Sequence, residues 1–273
     1  MWEYSIKVSN NNKLVADLVF NTLKKKTNKY KSVVVSTCDN KFCSISLAID
    51  DRHVEYAQEV LAKIIAKIVC SFYKQAFLDR YLCLPTQEEI NLVAFKKALI
   101  NFDKETDYFI ISKNLILEGE LYLDSFFNFK LSRLQDKWGE LVKLANENKD
   151  YLVCKDAFFD LLKFLIDNID VTKREVEVFE EDDGYRIIPV REGDLEDYTN
   201  VIYTSEALVS SLIELSPRKI ELYCTKENDA TRLLKTIYDK RVNLHNSSCF
   251  ENDNLKYLTK NYQNCWQFIL KGI

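Results

Sequence analysis

Lys219-Ile220-Glu221-Leu222-Tyr223 alternates polar and apolar residues, and Arg241-Val242-Asn243-Leu244-His245 does the same. Between them Asn228 opens a helical stretch carrying Leu233, Leu234 and Ile237. A strand, a helix of about three turns and a second strand predict a parallel βαβ crossover, because parallel strands need a long connection. Just upstream, Glu175-Val176-Glu177-Val178-Phe179 and Tyr185-Arg186-Ile187-Ile188-Pro189 flank Asp183-Gly184, a strong hairpin turn signal. Ser205 is placed to cap a helix through Leu208, Val209, Leu212, Ile213 and Leu215, which Pro217 ends. The region from 171 to 273 therefore reads as an α/β unit.

Working back, Trp2, Tyr4, Ile6 and Val8 alternate as a strand, and Leu14, Val15, Leu18, Val19 and Leu23 follow at helical spacing. Residues 31–50 are β-rich around the turn signal Asp39-Asn40-Lys41. Val54, Ala57, Leu61, Ile64, Ile68 and Phe72 then mark a long helix. The order β-α-β-β-α predicts a small unit over 1–84. From 85 to 170 the pattern is mostly helical: Thr86 and Glu89 form a capping-box pair, and Asp156 to Asn168 is the cleanest helix, expected to be buried on two sides. The whole reads as an α+β protein.

Composition bounds the function. Of 273 residues 47% are apolar and 29% charged, with 16 Phe and 15 Tyr, so a large core is available. A net charge of −4 argues against a global basic field that would gather nucleic acid. The opening Met1-Trp2-Glu3-Tyr4-Ser5-Ile6-Lys7 lacks a signal-peptide pattern. No apolar run reaches the roughly 18 residues of a spanning helix; the nearest, Val54 to Phe77, is broken by Lys63, Lys67 and Lys74. Eight cysteines without a Cys-x-x-Cys pair predict reduced thiols and a cytoplasmic setting.

The usual catalytic routes are missing. Five glycines include no Gly-x-Gly and no Gly-Lys-Ser/Thr, so no phosphate-cradling loop is expected. His53 and His245 are the two histidines, and neither sits in a hydrolase, metalloprotease or kinase motif. Cys38 and Cys43 bracket a turn and could face each other, but zinc would need two further ligands. The ten carboxylates from Glu175 to Asp197 lack calcium-loop spacing and read as a solvated acidic hairpin. No catalytic residue, cofactor or metal site is assigned.

Two locations stand out for binding. Ligands of parallel α/β units settle beyond the carboxyl ends of the strands, an edge that would present Tyr223, Cys224, Thr225, Lys226, His245 and Asn246. The basic run Lys24-Lys25-Lys26-Thr27-Asn28-Lys29-Tyr30-Lys31 is the nucleic-acid or anion candidate, although cations at a helix end also answer the helix dipole.

A resemblance adds a setting. Leu123-Asp124-Ser125-Phe126-Phe127-Asn128-Phe129-Lys130-Leu131, the helix Phe158 to Ile166, and Glu206 to Ile220 with its Leu208-Val209-Ser210-Ser211-Leu212-Ile213 core resemble segments of the YtxC-like sporulation proteins of endospore-forming bacteria. The likeness spans roughly 115–245. Lys130 stands where that family has arginine, Ser125 replaces a glycine and Ser216 an alanine; the lysine loses the two-pronged anion contact a guanidinium makes. The resemblance implies a role in sporulation and carries no reaction. The expectation is a non-enzymatic protein that binds a protein partner or self-associates. The rival readings are a ligand-binding protein or enzyme using the C-terminal edge, and a nucleic-acid binder using Lys24 to Lys31.

Overall fold

A computed structural model describes residues 1–84, 88–190 and 201–246. It is a mixed α+β structure whose contacts gather into two compact units. The first comprises Met1–Gln87 and Phe95–Ile169, and the second Glu88–Ala94 and Asp170–Ile273. Of the central residues, Glu88–Ala94 group with the C-terminal unit and Phe95–Ile169 with the N-terminal one.

The first unit follows the β-α-β-β-α order: β1 (Trp2–Ser9), α1 (Lys13–Thr27), β2 (Val33–Cys38), β3 (Phe42–Ile49) and α2 (Val54–Ile68). A π-helical turn (Val69–Tyr73) joins α2 to α3 (Lys74–Tyr81). Then come α4 (Glu89–Asn101), which belongs to this unit from Phe95 onward, α5 (Lys104–Asn114), β4 (Glu120–Tyr122), the short α6 (Leu123–Ser125), a second π-helical turn (Phe126–Lys130), α7 (Ser132–Glu147) and α8 (Lys155–Asp167). The sheet order is β2-β3-β1-β4, antiparallel except for the parallel β1–β4 pair. Strand β4 is an addition to the mostly helical reading of the centre: three residues are too short for alternation to register.

Period-two alternation puts Tyr4, Ile6, Val8, Ile45, Leu47 and Ile49 on one face, all buried. They meet Val15, Val19 and Leu23 of α1 and Leu61, Ile65 and Ile68 of α2. Full burial of each such side chain contributes roughly 1.5–3 kcal/mol. Helix α8 runs where expected, but its burial is one-sided: Phe158 and Leu162 are buried while Phe164 is 56% exposed, so it is a surface helix rather than one between layers. The reduced-thiol expectation is corrected at one pair. Cys38 and Cys43 lie opposite each other next to the hairpin turn and are disulfide-bonded; Cys70, Cys83, Cys154 and Cys224 are free thiols.

The second unit holds β5 (Glu175–Glu181), β6 (Gly184–Pro189), α9 (Ser205–Leu215), β7 (Lys219–Cys224), α10 (Asp229–Tyr238) and β8 (Val242–Asn246), in sheet order β6-β5-β7-β8. β5 and β6 form the hairpin, and β7 and β8 pair in parallel around α10. Gly184 has φ +148°, and a Cβ there would lie 2.4 Å from the Tyr203 carbonyl oxygen, so the turn needs glycine. Asn228 caps α10 with a reciprocal bond to Thr231. The cap of α9 is Thr204, one residue before the expected Ser205; its hydroxyl accepts the Ala207 N–H. The Thr86 cap lies outside the described residues, as does the acidic stretch beyond Val190.

Ser216 ends α9 with φ +40°, and its hydroxyl is buried with no hydrogen-bond partner among the described residues. Glycine accepts left-handed backbone freely and removes the orphaned hydroxyl. Ser216→Gly is expected to raise stability by about 1 kcal/mol in urea denaturation. An unchanged or lower midpoint would show that the hydroxyl is satisfied in solution.

Candidate functional site

The predicted edge lies on the second sheet, whose two faces differ. Val176, Val178, Ile187, Ile220, Leu222 and Cys224 point to the buried side. The alternate residues form cross-strand rows: Phe179, Tyr223 and His245 in one, Glu177, Glu221 and Asn243 in the next. The rings of Phe179 and Tyr223 stack at 4.8 Å, and those of Tyr223 and His245 at 4.7 Å with 19° between planes. Of the proposed edge residues, Tyr223 and His245 are therefore brought together. Thr225 is turned elsewhere: its N–H (2.6 Å) and hydroxyl (2.8 Å) both donate to Glu180, which covers the end of β7 with a carboxylate. Lys226 is exposed. Asn246 continues the backbone pairing of β8 opposite Cys224.

Glu221 organises this face. His245 Nε2 lies 2.6 Å from its Oε2, Asn243 Nδ2 donates to Oε1 at 3.1 Å, and the Lys219 ammonium stands 2.5 Å from Oε1. Burial works to raise the Glu221 pKa, but the bonds from Lys219, His245 and Asn243 outweigh it and hold the carboxyl down at about 2. Its neighbour Glu177 moves the other way, raised by burial and by the Glu221 charge. Because the folded-state pKa of Glu221 is depressed from 4.5, its contribution to stability is complete above pH 4.5 and lost as pH falls towards 2. Thermal midpoints of Glu221→Gln should lie below wild type at pH 7 and converge with it between pH 4.5 and about 2. Parallel curves across that window would refute the assignment.

The polar groups gathered here are the Lys219–Glu221 ion pair and the His245 and Asn243 contacts to the same carboxylate. The nearest thiol in sequence, Cys224, is buried with its pKa raised by desolvation and by Glu180 and Glu227, the opposite of what a nucleophilic thiolate needs. Among the described residues no group of three or more His, Cys, Asp or Glu side chains could hold a metal ion. No helix among them is long and apolar enough to cross a membrane.

The anion candidates are scattered over separate elements. Lys24, Lys25 and Lys26 occupy the last turn of α1, with Lys24 Nζ 5.7 Å from the Phe20 ring centroid. The Lys26 carbonyl accepts the Tyr56 hydroxyl. Lys130 ends the second π-helical turn and is exposed. Sequence reasoning missed a ring cluster beside the basic run: Tyr30 packs at 4.6 Å on both His53 and Tyr56, and Lys29 lies over Tyr30 and Tyr56. The His53–Tyr56 spacing of three at a helix start was the signal available. This contact gives His53 a packing role.

The segment from Leu123 to Leu131 acts in the core. Leu123, Phe126, Phe127 and Leu131 are buried, and Asp124 accepts the Ser9 N–H (3.0 Å), the Asn12 amide (3.2 Å) and the Tyr73 hydroxyl (2.7 Å). A separate open groove of about 910 Å³ is lined by Phe77, Tyr81, Gly139, Val142, Lys143 and Asn146 on α3 and α7. Comparison with family models, curated proteins and solved structures found no match to this chain.

Proposed function

We propose that this chain is a sporulation-associated, non-enzymatic protein that acts by binding a protein partner or by assembling with itself. One observation carries the associative part: β2 is an edge strand whose Val33 and Val35 are 59% and 48% exposed. A long apolar strand edge left open in a folded protein is a surface suited to pairing with another chain. The resemblance of 115–245 to the YtxC-like proteins supports the sporulation setting. The proposal places the protein in the cytoplasm, with four free thiols among the described residues in favour and the Cys38–Cys43 bond against.

A second reading, a small-molecule binder on the second sheet, is favoured by the stacked Phe179, Tyr223 and His245 rings. Affinity capture of the tagged full chain from sporulating cells separates the two. A reproducible protein partner, or the chain's own untagged copy, is the expected result. Recovery of a bound metabolite without any protein would overturn the first reading in favour of the second.

A further inference from the structure

The β2 edge differs from the edges at β4 and β6. At the far side of the same sheet β4 is three residues long and carries Glu120, paired with Lys7 at 2.7 Å. On the second sheet β6 presents Arg186 and ends at Pro189. Short length, charge and proline are the devices that stop edges from pairing. Val33-Val34-Val35-Ser36-Thr37-Cys38 has no charge, no proline and four β-branched residues. Among the described residues no strand pairs with its outer side.

The hairpin geometry says which backbone groups that side offers. The Asp39 N–H donates to the Phe42 carbonyl at 2.9 Å, so bonds to β3 recur at every second residue back from Asp39. Thr37, Val35 and Val33 thus bond inward, and the N–H and C=O groups of Val34, Ser36 and Cys38 face outward.

We propose that β2 is the seam of a homodimer, pairing antiparallel with β2 of a second copy about a two-fold axis at Val35. The inference rests on the associative reading above and names its partner. The sequence is self-complementary in this register. Val35 meets Val35 of the second copy as a close, non-hydrogen-bonded pair, Val34 exchanges backbone bonds with Ser36, and Val33 faces Thr37. Lys31, just before the strand, falls opposite Asp39 of the second copy, and symmetry repeats the charge pair at the other end. Centring the axis on Ser36 instead would set Lys31 against Lys41, so charge selects the Val35 register.

The test is sedimentation velocity of the full chain over a concentration series. Wild type should approach twice the 32.1 kDa chain mass. Val35→Lys places a charge at the seam, and Ser36→Pro removes an outward N–H that bonds to none of the described residues. Each should return the single-chain mass with an unchanged circular dichroism spectrum. Lys31→Asn keeps a residue suited to the left-handed φ of +50° while removing the charge, and should weaken the dimer roughly two- to five-fold. Phe109→Lys, on an exposed residue of α5, should leave the dimer intact. Wild type that stays monomeric, aggregates without a dimer plateau, or keeps dimerising when both seam variants are folded would overturn the proposal. A monomer that still captures a different protein overturns only the seam; a monomer that carries a metabolite and no protein overturns the functional reading as well.

Discussion

Asp107→Ala should destabilise the first unit by about 3–5 kcal/mol, because it strands a buried ammonium. Lys74 and Asp107 are both essentially inaccessible, with Nζ 2.8 Å from Oδ2. Asp107 also accepts Lys137 Nζ at 2.8 Å and the Trp138 indole N–H at 3.0 Å, while Lys74 has, among the described residues, one further bond, to the Phe102 carbonyl. Trp138 is fully buried against Phe77 and Phe127, so the polar cluster sits inside an aromatic wall. The asymmetry of partners sets the order of effects. Lys74→Met leaves the carboxylate two donors and should cost less than Asp107→Ala, which leaves the ammonium a lone carbonyl. Replacing both by apolar residues, Lys74→Met with Asp107→Leu, should recover part of the loss of the aspartate variant. Urea denaturation of the three variants reads this directly; equal losses in the two single variants would refute the partner argument.

Asp124→Ala is expected to cost roughly 2–3 kcal/mol, since bonds to a carboxylate contribute more than neutral ones. The loss would orphan the Ser9 N–H at the end of β1, the Asn12 amide before α1 and the hydroxyl of Tyr73, which is 7% exposed. Burial, and then the hydrogen bond to Asp124, already push the Tyr73 hydroxyl pKa upward. Tyr73→Phe removes one of the three bonds and should cost distinctly less. Asp124→Asn, which keeps one acceptor oxygen, should fall between. An Asp124→Ala protein within about 0.5 kcal/mol of wild type would be within the range of ordinary surface substitutions and would rule out this joint.

These two positions show where the sequence is legible. Alternation in β1 and β5, the Asp183-Gly184 turn, the Asn228 cap and the βαβ crossover all depend on neighbours within a few residues, and each is present in the structure. Lys74 reads along the chain only as a charge interrupting an apolar run. Its burial is decided by Asp107, 33 positions away, which no local pattern links to it. β4 escapes notice because three residues make no periodicity, yet it completes the first sheet. At the candidate edge, Tyr223 and His245 are neighbours because parallel pairing aligns them, which the predicted crossover implied. The filling of the same edge by Glu180, 45 positions before Thr225, depended on the register of β5, which alternation alone leaves open.

The β2 edge belongs to both groups. Its run of valines before a turn signal marks a strand, while its place at the rim of the sheet is known only from topology. The proposed function has the chain work through association and not through chemistry on a bound small molecule. Native mass spectrometry of the full chain purified from its own cells tests both halves at once. The expected spectrum shows twice the 32.1 kDa chain mass with no added small molecule. A spectrum of single chains carrying a bound metabolite would contradict it.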